Sequence, residues 1–488
     1  MRPSSILALA LLLPLLAGPA LGAPDDDPRP IVPASEILAK IERGEPVEYD
    51  GVIVEGDLDL SGLDLPTGHV ERNEFDIEFF GLTEEVKLIE SPISIKDSEI
   101  KGDVNLGNSI FQGQVNFKGS NFSKEAWFSG ANFSGHVEFW WMELHDDSNN
   151  SIVIEFGGSS ADFMDAKFSG GDANFWRTEF SGGDAEFGGA EFSGGDAEFG
   201  GAEFSGGSAE FGWAKFNGGV ANFAGAEFSG GSAIFYGAEF SGGEAAFDLV
   251  KFNGGLANFI GAVFSGGSAE FWRSEFSEDV DFEDSIFERT NLTMEDARNI
   301  RILRLSNSTF ENCSTISLKG TDYDRLYVRW DLIEDALVYN GEVYLALVKN
   351  FKAIEYFEDA DDCYYQYRLE RQSMRSFREV AKYTDILGWV TCGHGVRPGY
   401  TLLLGLFVVF VSAVYYWRAD AIRRLKGDED ESAKFSDAFY FSMMTFTTVG
   451  YGDWYPLDRH RNVVMIEGIV GWLTLSLFLV TLANVIIR

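Results

Sequence analysis

The chain has 488 residues, with 77 Asp and Glu against 38 Lys and Arg, a formal net charge of −39, 43 Phe, 54 Gly and 3 Cys. That length allows about three domains, and so negative a charge repels phosphate backbones, which argues against a nucleic-acid binder and suits attraction of cations. Cys313, Cys363 and Cys392 are an odd set that fits no zinc spacing, so at most one disulfide is possible and neither metal nor disulfides carry the fold.

The N-terminus reads as an address. Arg2 precedes the apolar run Ile6 to Leu16, then Pro19, the small residues Ala20, Gly22 and Ala23, and Asp25 to Asp27. Residues 1–23 therefore have the form of a secretory signal peptide with a cut after Gly22, and the run is too short for the ~20 residues of a spanning helix. Six N-x-[ST] sequons, at Asn121, Asn132, Asn149, Asn291, Asn307 and Asn312, agree weakly with export. Residues 24–50 form a cap: Ser35 can start a helix carrying Ile37, Leu38 and Ile41, and Gly44 can end it.

Strand-like alternation begins at Val52-Ile53-Val54 and Leu58, Leu60, Leu63 and Leu65, and from Phe163 to Phe276 the Phe residues recur at alternating gaps of five and seven. The unit is typified by Asp184-Ala-Glu-Phe187-Gly-Gly-Ala-Glu-Phe192-Ser-Gly-Gly195. In an extended chain Ala185 and Phe187 share an inward face while Glu186 points out, and Ser-Gly-Gly supplies a corner that tolerates positive φ. Phe117, Phe122, Phe128, Phe133 and Phe139 alternate five and six, the same coil with a tighter corner. This spacing resembles the pentapeptide-repeat family, which implies a right-handed quadrilateral β-helix, here over residues 51–322 with two-residue insertions. Glu186, Glu191, Glu198, Glu203, Glu210, Glu227 and Glu239 give acidic stripes, either a solvated face or a surface for cations or a basic partner of unknown identity. His69, His136 and His145 are isolated and read as surface or turn residues.

Residues 323–397 read as a helical linker, with Val343, Leu347, Phe351 and Ile354 at helical spacing. Arg368, Arg371, Arg375, Arg378 and Lys382 form a basic face just before the membrane, placed for lipid headgroups or simply solvated. Residues 398–417 carry no charge and can span a bilayer, and a second span covers 463–487, broken only by Glu467. Between them lies 435–453, a helical stretch from Phe435 to Phe446 followed by Thr447-Thr448-Val449-Gly450-Tyr451-Gly452-Asp453.

That last segment matches the signature of potassium channels, and residues 398–488 resemble the pore domain of their two-helix class. The resemblance implies that Thr448, Val449, Gly450, Tyr451 and Gly452 form the selectivity filter. Carbonyls of Thr448, Val449, Gly450 and Tyr451 would replace the hydration shell of K⁺, and Asp453 would mark the mouth. It implies a homotetramer in a lipid membrane, with permeant K⁺ as the only ion and no other cofactor. Gly471 is the candidate gating hinge, with helix packing as the alternative. Glu467, an acid inside the span, is a candidate functional residue that either bonds behind the filter or sits near the interface. Met444 occupies a pore-helix position where some such channels carry a bracing carboxylate. No span carries spaced Arg, so voltage sensing is not expected. With Arg488 as the last residue, any gate-controlling domain is expected to be N-terminal.

Thr391-Cys-Gly-His-Gly-Val-Arg-Pro398 resembles the junction of proteins that fuse pentapeptide repeats to such a channel. The expectation is a passive K⁺ channel in the cell membrane, not an enzyme, with the acidic repeat as scaffold or sensor. The alternative is a non-conducting adhesin or wall-binding stalk on two anchors. A cleaved signal would put the repeat outside, which conflicts with the usual outward-facing filter mouth.

Overall fold

The computed structural model describes residues 29–72, 77, 82–124, 126–128, 130–135, 137–139, 142–144, 155–156, 160–168, 172–425 and 432–486. The expected leader, His136, His145 and Asn149 lie outside these residues.

Alternation of inward and outward residues builds the first body of the protein. Ala185 and Phe187 are buried and Glu186 stands at the surface, as successive residues of an extended chain must. The strands pair in parallel, Ala185 with Ala209 and Phe192 with Phe216, so the five-plus-seven unit is half a coil. Among the described residues the strands stack into four sides, of twelve, twelve, ten, and three plus seven strands. The result is a four-sided parallel β-helix. The five-six spacing near the N-terminus gives a shorter coil, Phe111 pairing with Phe133 and Val115 with Val137.

Coil stacking makes ladders of Phe. Phe187 stacks on Phe211 at 4.9 Å and 4°, and Phe192 on Phe216 at 4.9 Å and 2°. That spacing is the strand-to-strand distance. Across the coil the rings meet edge to face, Phe187 against Phe199 at 5.3 Å and 88°, the arrangement that ring quadrupoles favour. Phe211→Ala should therefore lower repeat stability by about 3–5 kcal/mol. Chemical denaturation followed by the β signal of the intact chain reads it, and a loss below about 1 kcal/mol would contradict a continuous core.

Among the described residues most corners differ from the sequence expectation. Gly218, in an Asn-Gly-Gly version of the Ser-Gly-Gly corner, does not take positive φ; instead a Cβ there would strike the Gly195 carbonyl of the coil beneath. Glycine is needed at that corner for close approach. Positive φ falls mainly on the intervening turns, at Gly189 (φ 68°) and, without glycine, at Trp213 (φ 61°), while the Ser265-Gly266-Gly267 corner takes it as expected (φ 93° and 76°). The Asp of the repeat stitches coil to coil. Asp172 accepts from the Asp196 N–H (2.9 Å), and Asp196 accepts from the Val220 N–H (2.7 Å).

Both ends of the β-helix are closed, which removes exposed strand edges. Helix α1 (Ala34–Glu42) buries Ala34, Ile37 and Ile41 over the first coil. Its N-cap is Pro33 without a side-chain bond, so Ser35 lies in the first turn rather than capping; Gly44 (φ 69°) ends it as expected. Strands reach beyond the expected limits, from Ile31–Pro33 to Tyr323–Tyr327. After these come α2 (Trp330–Ile333), α3 (Gly341–Ala353) and α4 (Phe357–Met374). Val343, Tyr344, Leu347, Phe351, Ala360 and Cys363 join the same apolar core as the Phe ladders, so part of the expected linker is a C-terminal cap. Asn350 seals the last strand, donating to the Leu326 carbonyl (2.7 Å) and accepting from the Leu326 N–H (2.9 Å). Cys313, Cys363 and Cys392 are all free thiols.

Outward acids crowd one another. Glu186 and Glu210 are pushed above the usual carboxylate range by partial burial and by neighbouring carboxylates, and Glu244 and Asp248 likewise, with Glu270 beside them. A carboxyl whose folded pKa is raised destabilises the fold while ionised, and that penalty disappears on acidification. The melting temperature of the repeat should therefore rise as pH falls from neutral to about 5, just above the reference carboxylate values. A flat or falling profile in that window would contradict the crowding.

Candidate functional site

Among the described residues two helices are long and apolar enough to cross a membrane. α5 (Val380–Cys392) leads from the cap into α6 (Pro398–Arg418), whose Leu402, Leu403, Leu406, Phe407 and Phe410 are exposed in the protomer. Pro398 sits at the first position, where its missing N–H is not needed. α7 (Phe435–Phe446) is a short helix held against α6 and α8 (Arg461–Ile486). Its N-cap Lys434 N–H donates to the Asp437 carboxylate at 2.9 Å. Its C-terminal end, partially negative, precedes the signature loop.

That loop has alternating handedness. Thr448 (φ 57°), Gly450 (φ 48°) and Gly452 (φ 75°) take positive φ, whereas Val449 and Tyr451 do not. Gly450 and Gly452 adopt this without strain. Thr448, β-branched, does so at a cost of about 1–3 kcal/mol, the kind of strain retained where function requires it. Its hydroxyl donates to the Thr447 carbonyl at 2.7 Å. Val449 and Tyr451 are exposed in the single chain, Tyr451 to 72%. Asp453 follows, its carbonyl accepting from the Leu425 N–H (2.9 Å), and Trp454–Pro456 pairs antiparallel with Ile422–Arg424. The loop is thus anchored at both ends.

Glu467 supplies a brace that the sequence flagged without its partners. It is 3% exposed, and one carboxyl oxygen accepts from the Tyr416 hydroxyl of α6 at 2.5 Å. The other touches the Ser442 hydroxyl of α7, which also lies 2.9 Å from the Val409 carbonyl of α6. One acid therefore ties the helix before the loop to both membrane helices, behind the loop rather than at an interface with water. No local pattern reveals it, because Tyr416 and Ser442 lie 51 and 25 residues away in the chain.

Gly471 packs against the end of α7: a Cβ there would strike the Phe446 carbonyl, whereas a Cβ at Gly468 comes no closer than 4.0 Å to Thr445. Gly471→Ala should displace the α7 end and reduce yield of the folded assembly, while Gly468→Ala is tolerated; size-exclusion profiles of the two variants read the difference. Equal profiles would contradict the packing.

Chain direction orients the site. α6 starts beside the cap and ends at Arg418, and the strand pair after it places Asp453 on the side of the membrane helices away from the repeat. α8 returns, and Val485 and Ile486 line a cleft with Arg329, Tyr356, Phe357 and Asp359 of the cap. Part of the expected basic face is paired, while Arg371 and Arg378 stay exposed. Arg368 and Arg375 pair with the buried Asp385 at 2.9 and 2.5 Å, and Lys382 donates to the Arg375 carbonyl at 2.9 Å. A single Asp, 17 and 10 residues from the two Arg, holds those two against α5.

Comparison with known proteins agrees with this division. Residues 403–488 match the family model described as ion channel, and residues 95–140 match that of pentapeptide repeats (9 copies). Over 77 residues the chain is 38% identical to potassium voltage-gated channel subfamily A member 6 of Homo sapiens and of Mus musculus, covering 16% of this chain. The chain spans 13% of the length of these curated relatives. No solved structure matches. The protein thus joins a pentapeptide-repeat β-helix to an ion-channel domain with two membrane helices, and it is an integral membrane protein.

Proposed function

We propose that the chain is the protomer of a homotetrameric, passive, K⁺-selective channel. The observation that carries the reading is the alternation of φ at Thr448, Gly450 and Gly452 in a loop braced by its own helix. One loop gives one quarter of a coordination cage. Four copies would surround K⁺ with the carbonyls of Thr448, Val449, Gly450 and Tyr451 in place of water, with Asp453 at the mouth. Tetramerisation would also cover the exposed Val449 and Tyr451. K⁺ is cargo here, and these residues serve to hold backbone dipoles in place. Non-helical backbone at membrane depth is acceptable because it lines the pore.

Gly471 is the proposed hinge of α8, and the repeat is a scaffold or sensor whose proposed route to the pore is the cleft that Val485 and Ile486 line together with Tyr356 and Phe357. A change in the cap can reach the end of α8 there. The leader-like residues 1–23 favour an exported repeat, which would turn the mouth to the cytoplasm; protease digestion of the repeat on intact cells reads its side directly. K⁺ against Na⁺ flux from purified protein in liposomes, with native mass, tests the whole. Selective flux from a tetramer supports the channel, and a folded protein that passes no ions leaves the anchored stalk.

A further inference from the structure

Helix α5 has two unlike faces. Lys382, Asp385 and Cys392 are buried, and Asp385 is tied to the cap by its ion pairs with Arg368 and Arg375. On the other side Val380, Tyr383, Leu387 and Val390 recur at three- and four-residue spacing, so they form one stripe. They are exposed to 78%, 58%, 63% and 50%, and Phe377 just before the helix to 67%. A stripe of large apolar side chains this open is not a solvated surface.

Position identifies its occupant. The Thr401 hydroxyl, in the first turn of the membrane helix α6, donates to the Thr391 carbonyl at the end of α5 (2.9 Å), and α5 also touches α8. The helix that carries the stripe therefore lies beside both membrane helices. At 1.5 Å per residue α5 is roughly 20 Å long, too short to span a bilayer and suited to lying along one. Tyr383 is an aromatic of the kind that settles at headgroup level. Arg378, at the leading end, is exposed, and no ion pair involving it occurs among the described residues. We propose that α5 is an interfacial helix, seated on the bilayer surface with Val380, Tyr383, Leu387 and Val390 in the boundary between headgroups and acyl chains and Arg378 toward lipid phosphate. The cap would then be held at a fixed height above the pore, independently of what the pore selects.

Nitroxide labels test it in the full chain in vesicles of phosphatidylcholine and phosphatidylglycerol. Tyr383→Cys, Leu387→Cys and Val390→Cys are made separately in a Cys313→Ser background, with Lys349→Cys on α3 as a water-exposed control; Cys363 and Cys392 are buried. The expected result is that collisions with oxygen exceed those with a water-soluble nickel complex several-fold at all three stripe positions, with the reverse at Lys349. Dominant nickel collisions would overturn the proposal in favour of a solvated helix. Low collision with both reagents and spin–spin broadening would overturn it in favour of contact with another copy. The measurement needs no current, so its failure leaves the channel reading standing, and loss of flux leaves this one standing.

Discussion

Gly450→Asp abolishes K⁺ flux while the repeat keeps its melting behaviour. The position has φ 48°, in the left-handed region. An L-residue there costs about 1–2 kcal/mol, and a Cβ meets nothing within 4 Å in the protomer, so crowding is not the cause. The new residue strains the alternation that aims the carbonyls. In a tetramer it also adds four carboxylates to the cage, which hold a cation too tightly for it to move on. Flux should fall to the background of empty liposomes. Retained flux with an unchanged K⁺ to Na⁺ ratio would remove the loop from the conduction path.

Glu467→Ala is the second large effect. It leaves the Tyr416 hydroxyl without its acceptor in a buried site and removes the tie between α7 and α8. An unsatisfied buried group costs about 1–3 kcal/mol, apart from the cavity. Because the loop rests on α7, the expected consequence is loss of the selective current together with lower thermal stability of the membrane part. Glu467→Gln should preserve most of both: its carbonyl can still accept from Tyr416, and its amide can donate to Ser442, which still has the Val409 carbonyl to donate to. Tyr416→Phe should be milder than Glu467→Ala, and the double variant should cost less than the sum of the two. Strict additivity, or an active Glu467→Ala protein with unaltered selectivity, would show that the carboxyl is not a brace.

The sequence was legible where the chain contacts itself at fixed intervals. Phe187 and Phe211 meet because they occupy the same place in successive coils, so periodicity alone revealed the ladders and the face on which Ala185 lies. It was misleading at most corners: Gly218 looks like a residue chosen for φ, as Gly266 is, but its constraint is the backbone of the coil beneath. Helix contacts were hidden for a different reason. Val343, Leu347 and Phe351 announce an amphipathic helix without saying that its apolar face closes a β-helix. Five basic residues before the membrane read as a patch for lipid headgroups or for solvent, without showing that Asp385 pairs Arg368 and Arg375 or that the opposite, apolar face of α5 stays open. The signature loop was legible as a motif, and its alternating φ follows from Gly450 and Gly452, but the strained Thr448 does not. Glu467 stood out as an acid in an apolar span, whereas its partners depend on how three helices cross.

The central claim is that this loop selects K⁺, and the most direct measurement is the reversal potential of the purified protein in a planar bilayer with K⁺ on one side and Na⁺ on the other. The account predicts a current that reverses close to the K⁺ equilibrium potential and disappears in Gly450→Asp. A current that reverses near zero, or the same reversal in both proteins, would contradict it.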